Sequence, residues 1–296
     1  MTNVIEVKNL SRSYRKTVAV DDVSFSIEKN GIYGLLGRNG AGKTTLMRLI
    51  TGHEFASSGE ISIYGKNPVE NVDVLSNLAF IRESIRYPES YKVEHILKAA
   101  RAAFANWDEA YAQVLVDTFR VPRKRTAKKL SRGQLSAVGV VIGLAARAPI
   151  TIFDEPYIGM DAVARSQFYE LLLADYLENP RTIILSTHLI DEVADLLEHV
   201  IVIDQGKITL DAKADDLRGS AAVIEGSTEA IEAISEGLEI LESQVIGNQK
   251  RIVAQGISDQ NRAEFEAAGL SVRPASLQQL IISQTNLDIN QKVSNI

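Results

Sequence analysis

Residues 1–30 alternate apolar and polar positions, with interruptions at Asn9 and at Asp21-Asp22, which predicts short antiparallel strands. The apolar run Ile32-Tyr33-Gly34-Leu35-Leu36 predicts a buried strand, and Thr45-Leu46-Met47-Arg48-Leu49-Ile50 predicts a helix start close behind it. Ser58 to Gly65 reads as turn, strand, turn. From about Val93 to Phe119 apolar residues recur at spacings of three and four, which fits two helices parted near Asn106-Trp107-Asp108. A buried-looking helix over Gln134 to Ala146 precedes a buried strand at Ile150-Thr151-Ile152-Phe153. Further apolar strands fall at Thr182 to Ser186 and Val200 to Ile203. Strands alternating with helices predict an α/β fold with a mostly parallel sheet covered on both faces.

After about Asp215 the pattern changes. Ala222 to Glu225 reads as a strand, and Ser227 caps a helix running to Glu236. Leu238 to Val245 and Arg251 to Ala254 read as paired strands, and Ser258 opens a second helix. Ser276-Leu277-Gln278-Gln279 has the spacing of a capping box for a short last helix. The β-α-β-β-α-β order suggests a small α+β, ferredoxin-like module. The polar tail from Leu287 onward is expected to be flexible.

Composition narrows the class. The 296 residues suffice for more than one domain, and 45% apolar with 24% charged residues is ordinary for a soluble globular chain. Acidic residues outnumber basic ones, 38 to 32, which argues against a general nucleic-acid surface. With no cysteine, disulfides, thiol nucleophiles and cysteine metal sites are excluded. Met1 to Lys8 alternates like a strand and lacks the apolar core of a signal peptide. The longest apolar stretch, around Val138 to Ala146, is broken by glycine and too short to cross a bilayer. A membrane role would therefore come through a partner. The basic run Arg123 to Lys129 reads as a solvated linker, with contact to phosphate or a partner as the alternative.

The strand–helix junction Gly37-Arg38-Asn39-Gly40-Ala41-Gly42-Lys43-Thr44 is a complete phosphate-binding loop in its required context. Its backbone N–H groups, from Gly37 and Asn39 through Gly40, Ala41 and Gly42 to Thr45, can surround phosphates at a helix N-terminus. Lys43 can reach the β- and γ-phosphates, and the Thr44 hydroxyl can ligate Mg²⁺. The chain is expected to bind a nucleoside triphosphate. The strand Ile150 to Phe153 then ends in Asp154-Glu155-Pro156, where one carboxylate suits the Mg²⁺ shell and the next can polarise an attacking water.

Leu130-Ser131-Arg132-Gly133-Gln134, lying between the glycine loop and the twin acids, closely resembles the signature of ATP-binding cassette (ABC) proteins. Ser131 would cap a helix, and with the Gly133 N–H and Gln134 it would grip a γ-phosphate. The resemblance runs from residue 4 to about 210. It implies that Tyr14 stacks on adenine, although an ordinary edge-strand tyrosine is an alternative. Gly159-Met160-Asp161 resembles the D-loop, with Asp161 its key residue, and Ser186-Thr187-His188 resembles the switch histidine at the γ-phosphate. The Q-loop glutamine is matched by Glu83, a third candidate Mg²⁺ ligand, and Arg132 stands where the signature usually has glycine.

The resemblance implies a P-loop NTPase cassette over residues 1–215, with a mostly parallel core sheet, an antiparallel β subdomain and a helical subdomain at about 84–130. An accessory module would span 216–286 and a flexible tail 287–296. Thr151 to Arg165 and Trp107-Asp108 look most like cassettes of bacterial ABC-2-type exporters. The implied function is Mg²⁺-dependent ATP hydrolysis, with Glu155, His188 and Lys43 catalytic. The chain would work as a head-to-tail homodimer, or with a related ATPase subunit, on a transmembrane permease at the cytoplasmic face of the membrane. The alternative is a soluble cassette ATPase acting on translation or DNA. Those relatives generally carry two cassettes, coiled coils or zinc modules, none of which is visible here.

Overall fold

The structure, a computed structural model, describes residues 2–83, 85–281 and 283. Ser84 and the tail expected from Leu287 onward lie outside the described residues. The chain divides into two compact units, 1–188 with 196–211, and 189–195 with 212–296.

The first unit opens with β1 (Asn3–Tyr14) and β2 (Thr17–Glu28), an antiparallel pair. Next come β3 (Ile32–Leu36), α1 (Lys43–Ile50) and β4 (Ser58–Ile63), which pairs with the other edge of β1. The interruptions at Asn9 and Asp22 do not end strands. Both residues take positive φ, 46° and 51°, and Asn9 Nδ2 donates to Asp22 Oδ1 at 3.1 Å. They mark irregularities of register within two long strands. A short helix α2 (Val72–Leu75) leads to β5 (Leu78–Arg82).

The predicted pair of helices is α3 (Val93–Ala103) and α4 (Glu109–Thr118), the second capped by Asp108, whose carboxylate accepts from the Tyr111 N–H at 2.8 Å. Helix α5 (Arg132–Ala145) begins two residues earlier than its apolar stripe, because Ser131 caps it. After it come β6 (Ile150–Asp154), α6 (Ala162–Glu178), β7 (Thr182–Thr187), β8 (His199–Asp204) and β9 (Lys207–Lys213), while α7 (Ile190–Val193), between β7 and β8 in the chain, belongs to the second unit. Among the described residues the central sheet has the order β5-β6-β7-β3-β8-β9. The pairs from β5 through β8 are parallel, so β3, β6 and β7 end side by side. In such sheets ligands lie beyond the carboxyl ends of the strands. The fully buried strands β3, β6 and β7 carry no alternation, as a sheet covered on both faces requires.

In the second unit α8 (Ala214–Leu217) leads into β10 (Ala221–Ser227), α9 (Thr228–Ile234), β11 (Glu239–Ile246), β12 (Gln249–Gln255), α10 (Asp259–Ala267) and β13 (Ser271–Pro274). The sheet order is β11-β12-β10-β13, with each neighbouring pair antiparallel. From β10 to β13 the connectivity is β-α-β-β-α-β. The core of this unit gathers Ile224, Ile231, Ile252, Phe265 and Leu270. The Ser276 hydroxyl accepts from the Gln279 N–H and the Gln279 side chain accepts from the Ser276 N–H, so the capping box expected there forms.

Candidate functional site

The loop between β3 and α1 has a shape that side chains would forbid. A Cβ on Gly37 would come within 2.2 Å of the Ile203 carbonyl oxygen, and one on Gly42, at φ 115°, within 2.4 Å of that of Ala19. Lys43 is buried and folds back onto the loop, its Nζ donating to the Gly37 oxygen at 2.7 Å and the Arg38 oxygen at 3.1 Å. The same Nζ lies 3.7 Å from Glu155 Oε1. Burial pulls the Lys43 ammonium below its ordinary pKa, while the carboxylates of Glu155 and Asp154 oppose that shift.

Strand β6 carries Asp154 to the same place. Its carboxyl is buried, and burial pushes its pKa up, against a Thr44 hydrogen bond and the Lys43 charge. Beyond it Glu155 stands in the left-handed region at φ 46°, its N–H donating to the Ser186 oxygen at 3.2 Å. That uncommon backbone turns the second acid toward the loop instead of the far side of the sheet. His188, following β7, brings Nδ1 to 3.3 Å from Glu155 Oε1.

Lys43, Asp154 and Glu155 share a cavity of about 520 Å³ lined also by Asn39, Gly40, Gly42, Thr44, Thr45, Glu83 and Arg132, with Ala19 and Ile158, while His188 meets Glu155 from outside its wall. Other candidates do not line it. The Ser131 hydroxyl accepts from the Gln134 N–H at 3.2 Å, and Gln134 Oε1 accepts from the Ser131 N–H at 3.1 Å, a capping box at the start of α5. Gly133 approaches the D-loop of its own chain so closely that a Cβ would sit 2.2 Å from the Gly159 oxygen. Asp161 caps α6, accepting from the Ala164 N–H at 2.8 Å. Tyr14 donates its hydroxyl to Glu54, and the Arg12 guanidinium lies 4.6 Å over its ring.

Two contributors were not visible in the sequence. Tyr157 is buried between β6 and α6, its hydroxyl 2.6 Å from Thr187 Oγ1 and 3.5 Å from His188 Nδ1. Arg132 donates from Nη2 to Glu83 Oε1 at 2.7 Å. A tyrosine after Pro156 and an arginine inside the signature carry no sequence signal for either contact.

Hard oxygen donors at Thr44 and Asp154 suit Mg²⁺. Among the described residues there is no cluster of three or more His, Asp or Glu side chains able to hold a metal. Two protein oxygens fit an ion that takes its other ligands from phosphate and water.

The family profile described as ABC transporter matches residues 20–158, from β2 across the loop, signature and twin acids. The energy-coupling factor transporter ATP-binding protein EcfA2 of Ligilactobacillus salivarius (strain UCC118) is 30% identical, with 72% of this chain and 80% of that protein covered. The chain belongs to the ABC transporter ATP-binding family. The ABC transporter ATP-binding protein YtrB of Bacillus subtilis (strain 168) is 29% identical over 73% of this chain and 74% of its own length. A solved ATP-binding subunit of an ABC transporter superposes with a TM-score of 0.65 at 26% identity, covering 72% of this chain and 91% of that one. This cassette is thus an ATP-hydrolysing subunit of a membrane transporter. Such subunits act with transmembrane permeases, and no helix among the described residues is long and apolar enough to cross a membrane.

Proposed function

We propose that the chain drives an exporter as a head-to-tail dimer, docked on a separate permease at the cytoplasmic face of the membrane. The observation that carries this reading is the division of its site residues. Lys43, Thr44, Asp154 and Glu155 converge on one cavity, whereas of the signature only Arg132 lines it and Ser131 and Gly133 stand off its walls. ATP is then held between the glycine loop of one chain and the signature of a second, identical or related chain. The γ-phosphate supplies closing contacts that ADP lacks. Magnesium on Thr44 and Asp154 would neutralise charge on the β- and γ-phosphates. Tyr14 stacks on adenine, Glu155 polarises the attacking water, and Lys43 and His188 stabilise charge developing on the transferred phosphoryl. Glu83 and the helical segment up to residue 130 pass closure to the permease. Residues 1–215 form the cassette and 216–286 an accessory module. Export is favoured by the resemblance of Thr151 to Arg165 to ABC-2-type exporters.

The test is Glu155→Gln, which removes the charge that polarises water while keeping the side chain's shape. With magnesium and ATP it is expected to bind nucleotide as the wild type does and to lose turnover by about a hundred-fold or more. It should also accumulate as an ATP-dependent dimer in size-exclusion chromatography. Retained turnover would overturn the role of Glu155, and a monomer at saturating ATP would overturn the shared site.

A further inference from the structure

Glu83 and Arg132 are the two positions where the chain departs from the family pattern, and the fold joins them. They are 49 residues apart in sequence, yet Arg132 Nη2 donates to Glu83 Oε1 at 2.7 Å. Glu83 is fixed at the end of β5, its N–H donating to the Asp154 oxygen at 3.0 Å, so it is tethered directly beside the twin acids. Arg132 opens α5 and reaches across the cavity mouth with a side chain that is 75% exposed.

The charges on the cavity wall give the pair a purpose. Three carboxylates line it, Glu83, Asp154 and Glu155, against the ammonium of Lys43 and the guanidinium of Arg132. Without Arg132 the wall would oppose a polyanionic nucleotide with three acids and one cation. A carboxylate free to swing toward the phosphates repels them, and the repulsion is felt most before any divalent cation is bound. Arginine suits the task because its cationic guanidinium donates a charge-assisted hydrogen bond to the carboxylate from across the cavity.

We propose that Arg132 is a positioning residue for nucleotide binding, neutralising Glu83 and holding its carboxylate aside from the phosphates. The proposal rests on the cavity being the ATP site. It makes the two departures one device, since the acid is tolerated only where the arginine is present.

The experiment is a double-mutant cycle read as ATP affinity by titration calorimetry, with and without magnesium, on wild type, Arg132→Ala, Glu83→Gln and the double variant. Arg132→Ala is expected to weaken ATP binding about three- to five-fold, the scale of a partly exposed ion pair, and more in low salt than in high. In the Glu83→Gln background the same substitution should change affinity by less than about two-fold on that scale. Arg132→Lys should recover most of the loss, which a purely structural role of the guanidinium would not allow. Equal losses in both backgrounds, or no loss in either, would overturn the proposal. Lys43→Ala serves as the separate control. Undiminished ATP binding by that variant would overturn the reading of the cavity itself, whatever the cycle shows.

Discussion

Tyr157 is buried, and its hydroxyl stands 2.6 Å from Thr187 Oγ1 and 3.5 Å from His188 Nδ1, so one phenol limits where the imidazole can sit against Glu155. Tyr157→Phe keeps the ring and removes that restraint. Turnover should fall about three- to ten-fold, the value of a lost hydrogen bond, with KM for ATP unchanged because the phenol is not on the cavity wall. Steady-state kinetics separates the two parameters, and a raised KM with normal kcat would refute the role. A second residue acts on stability alone. Asp175 is buried between Arg147 Nη2 at 2.9 Å and Arg181 Nη1 at 2.7 Å, and the Arg181 side chain is only 4% exposed. Arg147 also pairs with Asp108 at 2.7 Å, so the burden of losing Asp175 falls on Arg181. Asp175→Ala should cost about 3–5 kcal/mol in urea denaturation, because it strands a buried charge.

At the level of elements, the start of α5 combines two tasks that can be separated. Ser131 caps the helix within its own chain and, in the dimer proposed above, faces the nucleotide of another. Aspartate caps as well as serine does but brings a negative charge. Ser131→Asp should therefore leave the melting midpoint nearly unchanged while abolishing ATP-dependent dimer formation. Unaltered dimer formation would show that the signature stays away from phosphate. This helix also shows what the sequence could and could not disclose. Its cap, its buried apolar face and its place between loop and twin acids follow from local pattern. Its contacts with Glu83 and with the Gly159 backbone do not, since they join segments far apart in the chain. The strands of the parallel core were legible as unbroken apolar runs, and the glycine loop and twin acids as motifs beside them. The long β1–β2 pair was not, because Asn9 and Asp22 look like turn residues in sequence and serve as bridged irregularities within the strands. Likewise the inward turn of Glu155 depends on a left-handed φ that no spacing announces.

At the scale of the whole molecule, the proposed dimer completes each site from the glycine loop of one chain and the signature of the other. The ATPase rate per subunit should then rise with protein concentration and level off as dimers saturate. A flat specific activity across a wide dilution series would contradict that. Wild-type protein with ADP should remain monomeric under conditions where ATP drives Glu155→Gln to dimerise, which light scattering can follow. The wedging of the glycine loop has a consequence for the first encounter. Gly37 and Gly42 press on backbone oxygens of β8 and β2, so strands from both sheets of the cassette set the loop's path. A receptor shaped in advance has no slow rearrangement to complete before ligand arrives. Nucleotide capture by a single chain should accordingly be a one-step event. In stopped-flow mixing the observed rate should climb linearly with ATP concentration, with no plateau, and any slow phase should belong to the meeting of two chains.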